Sequence, residues 1–186
     1  MVIFIKNMVS LRCKIMVTLE FERLGIAYKS VELGEVQLAE PITDAKRQLL
    51  EEALKKMGLE LLYNTKDILI EKIINTIIET IHYSDTLPDT NFSTLLSEKL
   101  HKNYHYLAEL FSKTKGTTIE RFIIRHKIER VKKLIIFEDL SLTEISYKMH
   151  YSSVAHLSNQ FKKVTGLTPS FFKTISDNKL SSLDDI

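Results

Sequence analysis

The sequence predicts an α+β chain: a βαββαβ domain at the N-terminus, then an all-α region with two helix-turn-helix units joined by a long helix. Three observations carry this. Apolar residues switch between a period of two and a helical period over the first 64 residues, and from Thr65 onward only the helical period is found. Gly25, Gly58, Gly116 and Gly166 each close an apolar run, as a left-handed residue closes a helix. Ser141 with Glu144, and Thr117 with Glu120, form capping pairs that open helices.

Taken in order, Val2 to Ile5 is an apolar strand. Leu11 to Leu24 follows as a helix with Leu11, Ile15 and Leu19 as its apolar stripe. Tyr28 to Leu33 alternates, Gly34 marks a turn, and Val36 to Ala39 completes a hairpin. Thr43 or Asp44 caps a helix with Leu49, Leu50, Ala53, Leu54 and Met57 on one face, and Leu59 to Tyr63 is the last strand. This order is that of a ferredoxin-like split βαβ unit.

In the helical region, Ile70, Ile73, Ile74, Ile77 and Ile81 form one stripe, and SDTLPDT from Ser84 to Thr90 is a loop. Asn91 caps a helix carrying Phe92, Leu95, Leu96 and Leu100. A turn at Lys102-Asn103 leads to a second helix with Leu107, Leu110 and Phe111. A long helix runs from Thr117 to about Ile136. Two short helices then flank a break at His150-Tyr151-Ser152, the second with Leu157, Phe161 and Val164 as its buried positions, and the chain restarts at Thr168-Pro169. The expected division is 1–64, a helix and linker over 65–90, the double helix-turn-helix over 91–175 and a flexible tail over 176–186.

Charge is unevenly placed. Residues 1–64 hold 9 Lys/Arg and 9 Asp/Glu, whereas residues 84–175 hold 14 and 9, with five of the six histidines. A polyanion is therefore expected to bind the second part. The single cysteine, Cys13, excludes an internal disulfide framework and fits a reducing compartment. The apolar run MVIFIK is too short for a signal peptide, and charged residues interrupt the isoleucine-rich stretch, so a cytoplasmic protein without a membrane partner is expected. With five glycines, no phosphate-cradling loop, no nucleophile beside a base and no paired catalytic acids, neither an enzyme nor a cofactor is expected.

The stretch from about residue 70 to 175 resembles the DNA-binding domain of AraC/XylS-type transcriptional regulators. The resemblance rests on Asn103, Leu107, Phe111 and Gly116, on the basic helix RHKIERVKKLI, and on SLTEISYKM…FKKVTGLTPSFF. It implies a sequence-specific DNA-binding regulator with double-stranded DNA, and RNA polymerase, as partners. It further implies two reading helices, with His105, Ala108 and Glu109 facing bases in the first unit and Val154, Ala155, Ser158 and Asn159 in the second. Arg125, Lys132, Lys148, Ser152, Lys162 and Lys163 would face phosphates. His150 stands where the family places a glycine. A long helix of about twenty residues spans roughly 30 Å, close to the ~34 Å between successive major-groove turns, so one chain can present both units to adjacent turns.

The first sixty residues resemble a heavy-metal-associated domain, a family that binds soft metals through M-x-C-x-x-C. Here the loop reads Met8-Val9-Ser10-Leu11-Arg12-Cys13, with Ser10 in place of the first cysteine. A hydroxyl is a poor soft-metal ligand beside a thiolate, so no metal is expected and Cys13 with Met8 is a weak candidate pair. Protein contact, or a homodimer through this domain, is the expected use of the fold. The alternative to a regulator is a soft-metal or redox-responsive protein acting through Cys13, or a protein-interaction module.

Overall fold

The computed structural model describes residues 1–138 and 140–175; the tail expected at 176–186 lies outside the described residues. The chain forms two compact units, 1–78 with 92–114, and 79–91 with 115 onward. This division differs from the sequence-based boundaries at residues 64 and 91.

In the first unit, β1 (Val2–Lys6), α1 (Leu11–Arg23), β2 (Tyr28–Glu32), β3 (Glu35–Leu38), α2 (Asp44–Lys56) and β4 (Glu60–Leu62) follow one another. The strands form one antiparallel sheet in the order β2-β3-β1-β4. Ile3 pairs with Val36 and Ile5 with Leu61. The pleat sends Ile3 and Ile5 to one face, where they join Val17, Phe21, Leu50 and Leu54 in the core. Ser10 caps α1 by accepting from the Cys13 amide, and Thr43 caps α2 by accepting from that of Lys46.

The buried face of α1 is not the expected one. Leu11, Ile15 and Leu19 are 54%, 61% and 58% exposed, while Val17 and Phe21 are fully buried. Phe21 meets the ring of Tyr28 edge-on with centroids 5.9 Å apart. An aromatic ring buries more apolar area than a leucine, so it sets the rotation of the helix and turns the Leu/Ile stripe outward. In α2, likewise, Leu49 is exposed while Leu50, Ala53 and Leu54 are buried.

The next helix, α3 (Thr65–Ile78), was read as the start of the helical region, but it packs on β1. Its Lys72 ammonium sits 4.8 Å above the Phe4 ring, on the sheet face opposite Ile3 and Ile5. Ile70, Ile73, Ile74, Ile77 and Ile78 are buried, as are Glu71 and Asn75. Asn75 donates to the Leu33 carbonyl at 3.3 Å, at the β2–β3 turn. Gly34 occupies that turn at φ +77°, and a Cβ there would lie 2.0 Å from the Asn75 amide nitrogen. Two helices, α4 (Phe92–Leu100) and α5 (Tyr104–Lys115), add Leu96, Leu107 and Phe111 to the buried set.

In the second unit the chain continues from α3 into a π-helical segment, Glu79–Tyr83, which sequence periodicity had not distinguished from α-helix. It packs on α6 (Ile119–Phe137), which buries Ile119, Ile128, Val131, Leu134 and Ile135. Thr118, not Thr117, caps α6: its side chain accepts from the Arg121 amide, one residue later than the expected pair with Glu120. After α6 come α7 (Leu142–Lys148), α8 (Val154–Thr165) and a helical stretch over 169–175.

The π segment and α6 are joined by the imidazoles of His82 and His126, whose Nε2 and Nδ1 lie 3.1 Å apart. Burial, then the neighbouring His126, holds the His82 pKa down to about 4. The folded state therefore favours neutral His82 relative to an unfolded chain with the ordinary histidine pKa of about 6.5. The unfolded chain binds the extra proton between these values, so stability falls as pH drops from about 6.5 toward 4.

Two outcomes follow for solution measurements. Gly34→Ala will lower the unfolding free energy by about 1–3 kcal/mol in denaturant titration, since it adds left-handed strain and a clash with Asn75. His82→Gln will flatten the decline of the melting temperature between pH 6.5 and 4 relative to wild type, leaving the contribution of carboxylates common to both.

Candidate nucleic-acid interface

Ser141 opens α7 with a reciprocal pair: its hydroxyl accepts from the Glu144 amide, and the Glu144 carboxylate accepts from the Ser141 amide at 2.7 Å. Hydrogen bonds from the Ser141 hydroxyl and amide hold the Glu144 carboxyl below its ordinary range. On the inner side, Ile145 is fully buried and Ser146 donates to the Thr143 carbonyl.

The turn after α7 is a Schellman motif. The Tyr151 amide donates to the Ser146 carbonyl at 2.9 Å, and the His150 amide to that of Tyr147 at 3.0 Å. His150 takes the left-handed position at φ +51°, so a histidine performs the turn expected of glycine. The end of α4 has the same device, with His101 at φ +50° and the Lys102 amide bonded back to the Ser97 carbonyl. A side chain in this region costs about 1–2 kcal/mol per residue, so other contacts must hold the turn.

Lys127 of α6 supplies such contacts. Its ammonium donates to the Met149 carbonyl at 2.9 Å, the last backbone acceptor of α7 before the turn, and lies 5.4 Å from the Tyr151 ring centroid. Burial lowers the Lys127 pKa and pushes that of Tyr151 up to about 12. The Tyr151 ring meets His156 edge-on at 5.2 Å, and a ring nitrogen of His156 lies 3.1 Å from the Ser152 hydroxyl. A chain of contacts thus runs from α6 through the turn to the first turn of α8.

Ser153 caps α8 by accepting from the His156 amide at 3.1 Å; Ser152 lies one residue before the cap. Leu157 and Phe161 are fully buried, and Gly166 ends the helix at φ +80°. Val164, expected inside, is 40% exposed, because only Leu157 and Phe161 fall on the line facing the core. Thr168 accepts from the Phe171 amide at 3.3 Å, and Pro169 is buried at the first position of the stretch that follows.

The sequence-expected contact residues separate by accessibility. Ala155, Asn159, Lys162 and Lys163 are exposed on α8, whereas Val154 and Ser158 are half-buried toward the Leu157–Phe161 side. In α5, His105 and Glu109 are exposed and Ala108 is half-buried. Glu109 pairs with Lys113 at 2.6 Å, and that hydrogen bond holds its pKa down. Arg125 and Ser152 are exposed. Lys132 is paired with Glu129 at 2.7 Å and Lys148 with Glu138 at 2.8 Å, so either would have to leave a carboxylate to reach a phosphate. His156 in the first turn of α8 and Tyr147 on α7, the latter 85% exposed, are accessible as well.

The soft-metal pair is not brought to a common surface. Met8 is fully buried in the sheet core, and the Cys13 sulfur lies 3.1 Å from the Ser10 hydroxyl that caps α1. Among the described residues no group of three or more His, Cys, Asp or Glu is arranged for a metal ion. No helix among them is long and apolar enough to cross a membrane.

Residues 96–174 match the family model of a helix-turn-helix domain. The matched helix-turn-helix domain runs from the end of α4 through the stretch after α8. Curated relatives align over about half of the chain. An uncharacterized transcriptional regulatory protein, YesN of Bacillus subtilis, is 32% identical over 105 residues, which is 54% of this chain and 28% of that protein. An uncharacterized helix-turn-helix-type transcriptional regulator of Pseudoalteromonas carrageenovora is 32% identical over 97 residues, 52% of this chain and 54% of its own. The bifunctional transcriptional activator/DNA repair enzyme AdaA of Bacillus subtilis is 23% identical over 110 residues, 50% of this chain and 52% of its own. The chain thus spans between about a quarter and about half of the length of these relatives. A DNA-binding transcriptional dual regulator of Escherichia coli K-12 is similar in fold over 59% of this chain and 93% of its own, with a TM-score of 0.50 and 15% identity.

The strain at the turn has a measurable consequence. His150→Gly will leave the melting temperature unchanged or raise it, whereas His150→Val will destabilise by about 1–2 kcal/mol because a β-branched residue resists positive φ.

Proposed function

We propose that this protein is a DNA-binding transcriptional regulator of the AraC/XylS type, with double-stranded DNA as its partner and no catalytic step of its own. The observation that carries this reading is α8 itself. It is a capped helix anchored by Leu157 and Phe161 that leaves Ala155, Asn159, Lys162 and Lys163 exposed, within the segment matching the helix-turn-helix domain. Asn159 has the donor and acceptor pair that reads adenine in the major groove, and the Ala155 methyl suits a thymine methyl. Lys162, Lys163 and Arg125 supply phosphate contacts, with the Ser152 hydroxyl beside the start of α8. Lys132 and Lys148 join them once released from Glu129 and Glu138.

In this reading α5 is a second reading helix, presenting His105, Ala108 and Glu109. Engagement of two successive major-groove turns is supported by the length of α6, whose 19 residues span about 28 Å at 1.5 Å per residue. RNA polymerase is the expected protein contact of a regulator bound to DNA. We divide the chain by role at 1–64, 65–90 and 91–175. The βαββαβ order and the β2-β3-β1-β4 sheet support a ferredoxin-like assignment of the first part, read as a heavy-metal-associated-like domain whose metal loop has lost a cysteine.

Duplex binding followed by fluorescence anisotropy tests the proposal. The affinity will fall steeply with salt, with a log-log slope of about −5 if six phosphates are neutralised. Lys162→Ala with Lys163→Ala will weaken binding on every sequence, whereas Asn159→Ala will change the sequence preferred in a random-pool selection, by about 1–3 kcal/mol at one base pair. Absence of duplex binding at low salt would overturn the function.

A further inference from the structure

The outward stripe of α1 is an apolar surface left exposed among the described residues. Leu11, Ile15 and Leu19 recur every four residues and so lie along one face of the helix. Met16 beside them is 43% exposed. Leu49 of α2, 52% exposed, lines the adjoining α1–α2 groove with Glu20 and Arg23. Five large apolar side chains at this exposure present on the order of 500 Å² of apolar surface, at the upper end of what monomers leave open.

We propose that this face binds a second copy of the chain, with the two α1 helices antiparallel across a two-fold axis near Ile15. This deepens the homodimer expected from the sequence by naming its surface. Two features favour a second copy over another occupant. The stripe is symmetric about Ile15, so a two-fold axis there sets Ile15 on its own counterpart and Leu11 on Leu19, as a self-complementary interface requires. The charges are arranged to match. Arg12 and Glu22 are both exposed, near opposite ends of the stripe. The antiparallel arrangement brings Arg12 of each copy within about one helical turn of Glu22 of the other, a gap that two long side chains close. A parallel arrangement would set like charges together.

The area agrees as well. Two such faces together hold about 1,000 Å² of apolar surface, which with a polar rim falls in the range of stable interfaces, about 1,200–2,000 Å² in total.

The test uses the full chain without DNA, by sedimentation equilibrium over a range of concentrations. Wild type will be a dimer in reversible exchange, and Ile15→Glu will raise its dissociation constant at least about tenfold by placing a carboxylate in the apolar contact. Because Ile15 is 61% exposed, the variant will keep the wild-type circular dichroism spectrum and melting temperature of the monomer. Arg12→Glu and Glu22→Arg will each weaken the dimer, and the double exchange will restore it. A wild-type chain that stays monomeric up to its solubility limit overturns the proposal, whatever else the face then binds. A dimer indifferent to Ile15→Glu overturns it too, and failure of the double exchange overturns the antiparallel pairing. Duplex binding is measured separately, so loss of the DNA-binding reading leaves this result standing.

Discussion

The α7–α8 turn is braced by one part-buried cation. Lys127 reaches from α6 to the last carbonyl before the turn and to the ring of Tyr151. Desolvating an ammonium is costly unless it is hydrogen-bonded, so the site holds only while the Met149 carbonyl and the Tyr151 ring stay in place. That requirement fixes the turn, and the turn fixes where α8 begins. His150 can then occupy the left-handed region without glycine, and Ser153 meets the start of α8 in register to cap it. The exposed face of α8 is a consequence, set by how firmly the opposite face is held by Leu157 and Phe161.

Much of this was legible in the chain. The Ser141–Glu144 pair, the Gly166 stop, the Gly34 hairpin and the isoleucine stripe of α3 are local signals, each acting through backbone hydrogen bonds or a single helical period, and the structure has each of them where the sequence put it. The βαββαβ order could be read because strand and helix periods differ and glycines separate them.

What could not be read depends on tertiary competition. The stripe Leu11, Ile15, Leu19 has the cleaner helical period, yet Val17 and Phe21 are inside. Periodicity identifies that a helix has apolar positions, but their packed volume against the sheet decides which are buried. The cap of α6 lay one residue away because Thr117 and Thr118 are chemically equal candidates, and only the path of the preceding chain separates them. For the expected DNA-contact residues, the sequence supplied the helix, while burial divided the candidates: Val154 and Ser158 are half-buried, and Lys132 and Lys148 already hold carboxylates.

The burial of α3 bears on how such a chain can be assembled from parts. A helix that merely linked two parts of the chain would show one wet face, but α3 encloses Glu71, Asn75 and Thr76 along with its isoleucines, and Asn75 is fitted to the β2–β3 turn. Packing is therefore continuous across residue 64, although the roles proposed for the chain divide there. A cut at that point would expose the isoleucine-rich face of α3 to solvent. The N-terminal sheet and α3 share one packed interface.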